Sequence, residues 1–121
     1  MLRQLNKLLT LTGKSGKNYD FDLWSFDDFN DVKGAFEGSG LYVFTRRYLA
    51  GSKYKHERIY LGETGDYKTR FDNHHREPCI RKHGANCIGL YPMPRSTEKQ
   101  RKDAENDLLE AYDFPCNDQN N

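Results

Sequence analysis

Hydrophobic and polar positions alternate most clearly at residues 19 to 24, where Tyr19, Phe21 and Leu23 interleave with Asp20 and Asp22. A period of two is that of a half-buried strand. Leu8, Leu9 and Leu11 precede it across the polar stretch Gly13 to Lys17. Together the two segments predict a β-hairpin with a Gly-Lys-Ser-Gly turn at its tip. The first seven residues, carrying Leu2 and Leu5, are open to a frayed helix instead. Residues 25 to 39 are rich in Asp, Asn, Gly and Ser and read as loop, with one short helical turn around Asp31 to Phe36.

Three further apolar runs have strand character: Gly40 to Phe44, Arg58 to Leu61 and Ile88 to Tyr91. After the second, Gly62 and Gly65 break the chain and Asp66 stands at a helix N-cap position. The spacing predicts a helix over Tyr67 to Arg76, stopped by Pro78. On it Arg70 and His74 are four residues apart and share a face, while Tyr67 and Phe71 form a second pair that can pack on the sheet. Pro92 and Pro94 isolate a last helix, Glu98 to Tyr112, opened by a capping box of Thr97 and Gln100. Its apolar face is Ala104, Leu108, Leu109, Ala111 and Tyr112, and Glu105 falls inside that arc. A carboxylate on a packing face needs a cation. Arg101, one turn earlier, would supply one as a plain ion pair; a bound metal is the other choice.

The Gly-Leu-Tyr of residues 40 to 42 and the Tyr-Leu-Gly of residues 60 to 62 are followed by Arg70, His74, Glu105 and an Asn117 just past Pro115. In that order and at those spacings the chain resembles the GIY-YIG nuclease family, as a small stand-alone domain, over Gly40 to Asn117. Leu41 and Leu61 stand where the family usually has Ile, a packing difference. The resemblance implies an α/β (α+β) fold with a small, mainly antiparallel sheet flanked by helices, here extended by the N-terminal hairpin. The expected layout is one domain: a hairpin and loop extension over 1–39, the core over 40–117 and a tail over 118–121. It also implies a metal-dependent endonuclease hydrolysing phosphodiester bonds, with DNA favoured over RNA. Glu105 would hold Mg²⁺ or Mn²⁺ and Arg70 the scissile phosphate. Tyr42 is the family's proposed general base, with Tyr60 beside the phosphate or the metal waters. His74, whose ordinary pKa is better matched to neutral pH, is the alternative base. Gly62 would leave room for the DNA backbone or for tight packing, Lys68, Arg46 and Arg47 would contact substrate, and Asn117 would tie the tail to the core.

Composition fits one modest core: 121 residues, 36% hydrophobic and 31% charged, with aromatics (one Trp, eight Tyr, seven Phe) as the main source of buried area. The net charge of +1 conceals an asymmetry. Residues 46 to 102 hold 14 Lys or Arg against 6 Asp or Glu, whereas residues 103 to 121 hold 6 acidic side chains and neither Lys nor Arg. The basic part is suited to phosphates. It includes Thr45 to Glu57, a long connection between the motif strands that mixes Arg46, Arg47, Lys53 and Lys55 with Tyr48 and Tyr54. No apolar run reaches membrane-span length and no signal peptide is evident. Three cysteines, Cys79, Cys87 and Cys116, suggest free thiols in a reducing, cytoplasmic setting rather than a disulfide framework. Cys79-x3-His83-x3-Cys87 near His74 or His75 invites a zinc reading, but the spacing is not a common one. Specificity would come from the inserted hairpin, a homodimer or a recruiting protein. The rival function is a catalytically silent nucleic-acid-binding or partner-recruited module of the same fold.

Overall fold

Along β3 (Gly40–Ala50), Leu41 and Val43 face one way and Tyr42 and Phe44 the other, and all four are fully buried. This strand therefore carries two cores, and the computed structural model, which describes residues 1–118, shows helices on both sides of it. β3 pairs with β4 (Lys53–Thr64) on one side and β5 (Cys87–Pro92) on the other. β5 also pairs with β2 (Asn18–Ser25), which pairs with β1 (Arg3–Thr12). The result is an α+β fold on a five-stranded sheet, order β1-β2-β5-β3-β4, with every neighbouring pair antiparallel.

The N-terminal hairpin joins this sheet, and β1 begins at Arg3, so the first residues extend the strand rather than fray as a helix. Its turn docks on the last helix, α3 (Glu98–Leu109), through Asp107. Asp107 accepts from Ser15 N–H (2.8 Å), Ser15 Oγ (2.7 Å) and Tyr19 Oη (2.9 Å). The Gly-Lys-Ser-Gly turn thus directs its donors at a carboxylate of its own chain. The helical turn expected around Asp31 to Phe36 lies earlier, as a short 3-10 turn at Phe29–Val32 opened by an Asp28–Asp31 capping box.

The segment Thr45 to Glu57 is not a loop. β3 and β4 stay paired from Gly40↔Thr64 out to Ala50↔Lys53, so the insertion is a continuous two-stranded arm turning at Gly51 and Ser52. One bulge, between Phe44 and Thr45, turns both Ile59 and Tyr60 toward the Tyr42 face.

The helix expected over Tyr67 to Arg76 is broken. α1 spans only Tyr67–Arg70, capped by Asp66, and Tyr67 and Phe71 are buried against the sheet as the spacing required. Asp72 and Asn73 compete for backbone hydrogen bonds and favour a turn. Pro78 lies in the first turn of α2 (Glu77–Lys82), where its missing N–H costs nothing, so it opens a helix instead of stopping one. α1, α2 and the 3-10 turn cover the Tyr42 face, while α3 covers the Leu41, Val43 and Leu61 face.

β4 is a terminal strand, and unpaired edge groups need cover. The tail supplies it. Phe114 belongs to the α3-side core and Cys116 to the opposite one, so the chain crosses the β4 edge between them. At the crossing Asn117 accepts from Leu61 N–H (2.8 Å) and donates to Leu61 C=O (2.7 Å). Cys116 is disulfide-bonded to Cys79 of α2, with Cα atoms 5.8 Å apart. The expectation of three free thiols is corrected: only Cys87 is free, and it is buried. A cross-link over a sequence separation of 37 residues restricts the unfolded chain by about 3–4 kcal/mol. Cysteine usage consequently no longer argues for a reducing compartment. Among the described residues no helix is long and apolar enough to cross a membrane.

Asn117→Ala should lower unfolding free energy by about 2 kcal/mol, because it removes two hydrogen bonds and orphans the Leu61 N–H and C=O. Urea denaturation checks this; a change under about 0.5 kcal/mol would mean that water replaces the clamp.

Candidate active site at the edge of the sheet

The site is built at the end of β4 from both faces of the sheet. Tyr42 and Tyr60 come from neighbouring strands on one face, their ring centroids 6.0 Å apart. Gly62, opposite Tyr42 in the register, has no side chain because Tyr42 occupies that space: a Cβ there would collide with the phenol ring and hydroxyl. Gly62 therefore makes room for Tyr42 and not for a nucleic-acid backbone.

The Tyr42 hydroxyl gathers the next two residues. Arg70, the last residue of α1, donates from Nε at 3.0 Å, and His74 Nε2 lies at 2.7 Å. Arg70 and His74 do meet, but through this shared oxygen, since His74 lies beyond the helix end. The tautomer follows from the other side of the imidazole. Arg76 backbone N–H donates to His74 Nδ1 at 3.0 Å, so Nδ1 is the bare nitrogen and the proton sits on Nε2, pointing at Tyr42. The Tyr42 oxygen thus receives two nitrogen donors, one from each side of the turn after α1.

Burial sets the electrostatics. Tyr42 is wholly buried, and desolvation holds its pKa well above the phenol value despite the Arg70 charge. Tyr60 is raised too, again mainly by burial. His74, 4% exposed, is pushed down to about 3 by burial and then by the charges of Arg70, His75 and Arg76. It is thus neutral at physiological pH, with both nitrogens engaged, which makes it a group that orients Tyr42 rather than a ready base. His75 stacks on His74, centroids 5.0 Å apart, but its side chain is exposed.

Glu105 approaches from α3, on the other face. The ion pair expected with Arg101 does not form. Arg101 is taken by Glu63 of β4, Nε to Oε2 2.9 Å, and also donates to the Ser96 carbonyl at 2.7 Å. Among the described residues no cation lies within ion-pair distance of the half-buried Glu105 carboxylate. Burial raises its pKa and the Glu63 charge adds to this, while Lys102, Arg70 and the Glu63 backbone N–H pull only partly the other way. An oxygen donor with surplus negative charge beside it fits a hard divalent cation. Glu63 is the participant that sequence reasoning missed, and with it the true partner of Arg101. Glu63 alternates with Leu61 along β4, and that period places it on the α3 face.

The remaining expected contacts lie farther out. Arg46 pairs with Glu57 and lies over the Tyr48 ring, 4.8 Å from its centroid. Arg47 stacks on Tyr54 at 3.5 Å. Lys68 is exposed on α1, 3.9 Å from Glu37.

The depressed His74 pKa makes stability pH-dependent. Protons bind the unfolded imidazole, near 6.5, better than the folded one, so the contribution is intact above about pH 6.5 and is lost as pH falls toward about 3. Unfolding free energy should drop by roughly 2 kcal/mol more between about pH 7 and pH 5 in wild type than in His74→Gln, which keeps a donor for Tyr42. Equal slopes in the two proteins would contradict the buried neutral imidazole.

Compared with known proteins, the chain matches no family model, no curated protein and no solved structure.

Proposed function

We propose that the chain is a divalent-metal-dependent endonuclease that hydrolyses phosphodiester bonds, with DNA the favoured substrate. The observation that carries this reading is the Glu105 carboxylate, half-buried, unpaired among the described residues and across the β4 edge from the Tyr42–Arg70–His74 cluster. A purely structural arrangement would have used Arg101 to neutralise it; here Arg101 serves Glu63. The motif resemblance to GIY-YIG nucleases supports the same roles.

Glu105 would hold Mg²⁺ or Mn²⁺, and the ion would supply Lewis-acid stabilisation of the leaving oxygen. Arg70, fixed by the buried phenol, presents its charge where a phosphate can approach, so its orientation is set before substrate arrives. Tyr42 is wholly buried and Tyr60 slightly less so, which makes Tyr60 the phenol nearer the substrate. His74, held in one tautomer by Arg76 N–H, orients the Tyr42 hydroxyl. The β3–β4 arm, with its Arg–Tyr stacks and exposed Leu49 (59%) and Tyr54 (56%), is the candidate nucleic-acid contact. A homodimer or a recruiting protein remains the alternative source of specificity. The full burial of Tyr42 favours one second reading, a silent binding module in which the cluster is structural.

Nicking of supercoiled plasmid and cleavage of flapped, branched and single-stranded oligonucleotides, with Mg²⁺ or Mn²⁺ against EDTA, separates the two. Glu105→Gln and Arg70→Ala should each reduce cleavage by at least about 10²-fold. Without metal, Glu105→Gln should melt no lower than wild type, because it removes an unpaired carboxylate. Cleavage that survives Glu105→Gln overturns the site. Binding without cleavage under either metal gives the module reading.

The arm is tested independently by salt. Arg46→Ala and Arg47→Ala should each weaken binding across sequences and reduce the slope of log K against log[salt] by about 1. An unchanged slope in both would place the nucleic acid elsewhere.

A further inference from the structure

Where the segment after α3 crosses from the β4 edge to α2, three soft donors converge. Cys79 comes from the first turn of α2, His83 from the residue that caps its end, and Cys116 from the tail. Cys79 and His83 are four apart and so share a helix face. The donor atoms of all three lie within 4.8 Å of one another. His83 Nδ1 is 3.7 Å from Cys79 Sγ and 3.5 Å from Cys116 Sγ.

Those two distances are informative. A tetrahedral zinc ion with bonds of about 2.3 Å to sulfur and about 2.0 Å to nitrogen keeps its sulfur and nitrogen ligands roughly 3.5 Å apart. The imidazole nitrogen already stands at that spacing from both sulfurs. Only the sulfurs would have to separate, and Cα atoms 5.8 Å apart allow this by side-chain rotation. The set is not the one that spacing along the chain offered: Cys87 is buried in the sheet, its thiol pushed up to about 11 by burial, and Cys116 takes its place.

We propose that Cys79, His83 and Cys116 form a zinc site in the reduced chain, exchanging a disulfide for a metal cross-link between α2 and the tail. The balance is simple. Two equivalents of a small thiol reduce the Cys79–Cys116 bond, forming one external disulfide and two cysteine thiols. Zinc then binds both sulfurs as thiolates and displaces two protons. His83 Nδ1, which in the oxidised chain donates to the Cys79 carbonyl at 3.0 Å, gives up that bond and ligates through its lone pair, its proton moving to Nε2. Water takes the fourth position. Thiolate and imidazole select zinc over Mg²⁺, so this site and the Glu105 carboxylate draw on different metals. Either cross-link holds Cys116 in place, and with it Asn117 on Leu61, one residue from Tyr60.

The test uses the full chain, reduced with a water-soluble phosphine and titrated with Co²⁺ under argon. Reduced wild type should bind one equivalent and show the sulfur-to-cobalt charge-transfer band and intense visible bands of a tetrahedral thiolate site. The oxidised chain should show neither. His83→Ala, which leaves the disulfide and the fold intact, and Cys116→Ser should each weaken binding at least about tenfold, with Cys87→Ser unchanged. Circular dichroism follows the fold throughout. If reduction unfolds the metal-free chain, cobalt or zinc should restore its spectrum. Reduced protein without the charge-transfer band, or no recovery of structure on adding metal, overturns the proposal. So does His83→Ala binding as tightly as wild type. None of these readouts depends on nuclease activity.

Discussion

A phenol buried up to its oxygen must find its hydrogen bonds inside the protein, and Tyr42 does so by drawing two other segments onto the sheet. Arg70 and His74 both point a nitrogen at that oxygen, one from the end of α1 and one from the turn after it. Moving either would leave a buried hydroxyl short of a donor, or the buried imidazole short of an acceptor, each costing about 1–3 kcal/mol. The arrangement of this face of the molecule is therefore over-determined. Gly62 belongs to the same constraint, because the ring can lie flat across β4 only where the facing residue has no Cβ.

That constraint also explains the limits of what could be read in advance. Strand alternation identified the N-terminal hairpin, since a period of two survives any tertiary context that buries one side. The Thr97–Gln100 capping box and the Asp66 cap are local hydrogen bonds between neighbours in sequence, and both are present. Asn117 was legible as a tie to the core through the resemblance, although its partner, the main chain of Leu61, was not. The helix after Gly65 was misread because Arg70 and His74 sit at a helical spacing and are indeed neighbours. The cause of their proximity is Tyr42, not a shared helix, and Asp72 and Asn73 turn the chain between them.

The misplaced partner of Glu105 has the same origin. A helical wheel contains only the residues of its own helix, so Arg101 looked like the nearest cation. The structure adds β4, whose Glu63 competes for that guanidinium and wins, with the Ser96 carbonyl completing the grip. Likewise Cys79 and Cys116 meet only because the tail crosses the β4 edge, a path that no count of residues between cysteines reveals.

The edge itself is where these threads join. A sheet normally keeps its two faces apart, and here the groups with chemical potential lie on opposite faces: the tyrosines with Arg70 and His74 on one, Glu63 and Glu105 on the other. A terminal strand is a place where side chains from both faces can act on a single ligand, because beyond it there is no further strand to separate them. Yet an open edge is also where a sheet invites pairing with another chain. The tail resolves the conflict by covering Leu61 with one side-chain amide instead of a full strand. It seals the hydrogen-bonding groups and leaves the space beside Tyr60 and Glu105 without a sixth strand. A strand added there would satisfy the edge equally well and would bury Glu105, a half-buried carboxylate without an ion-pair partner among the described residues.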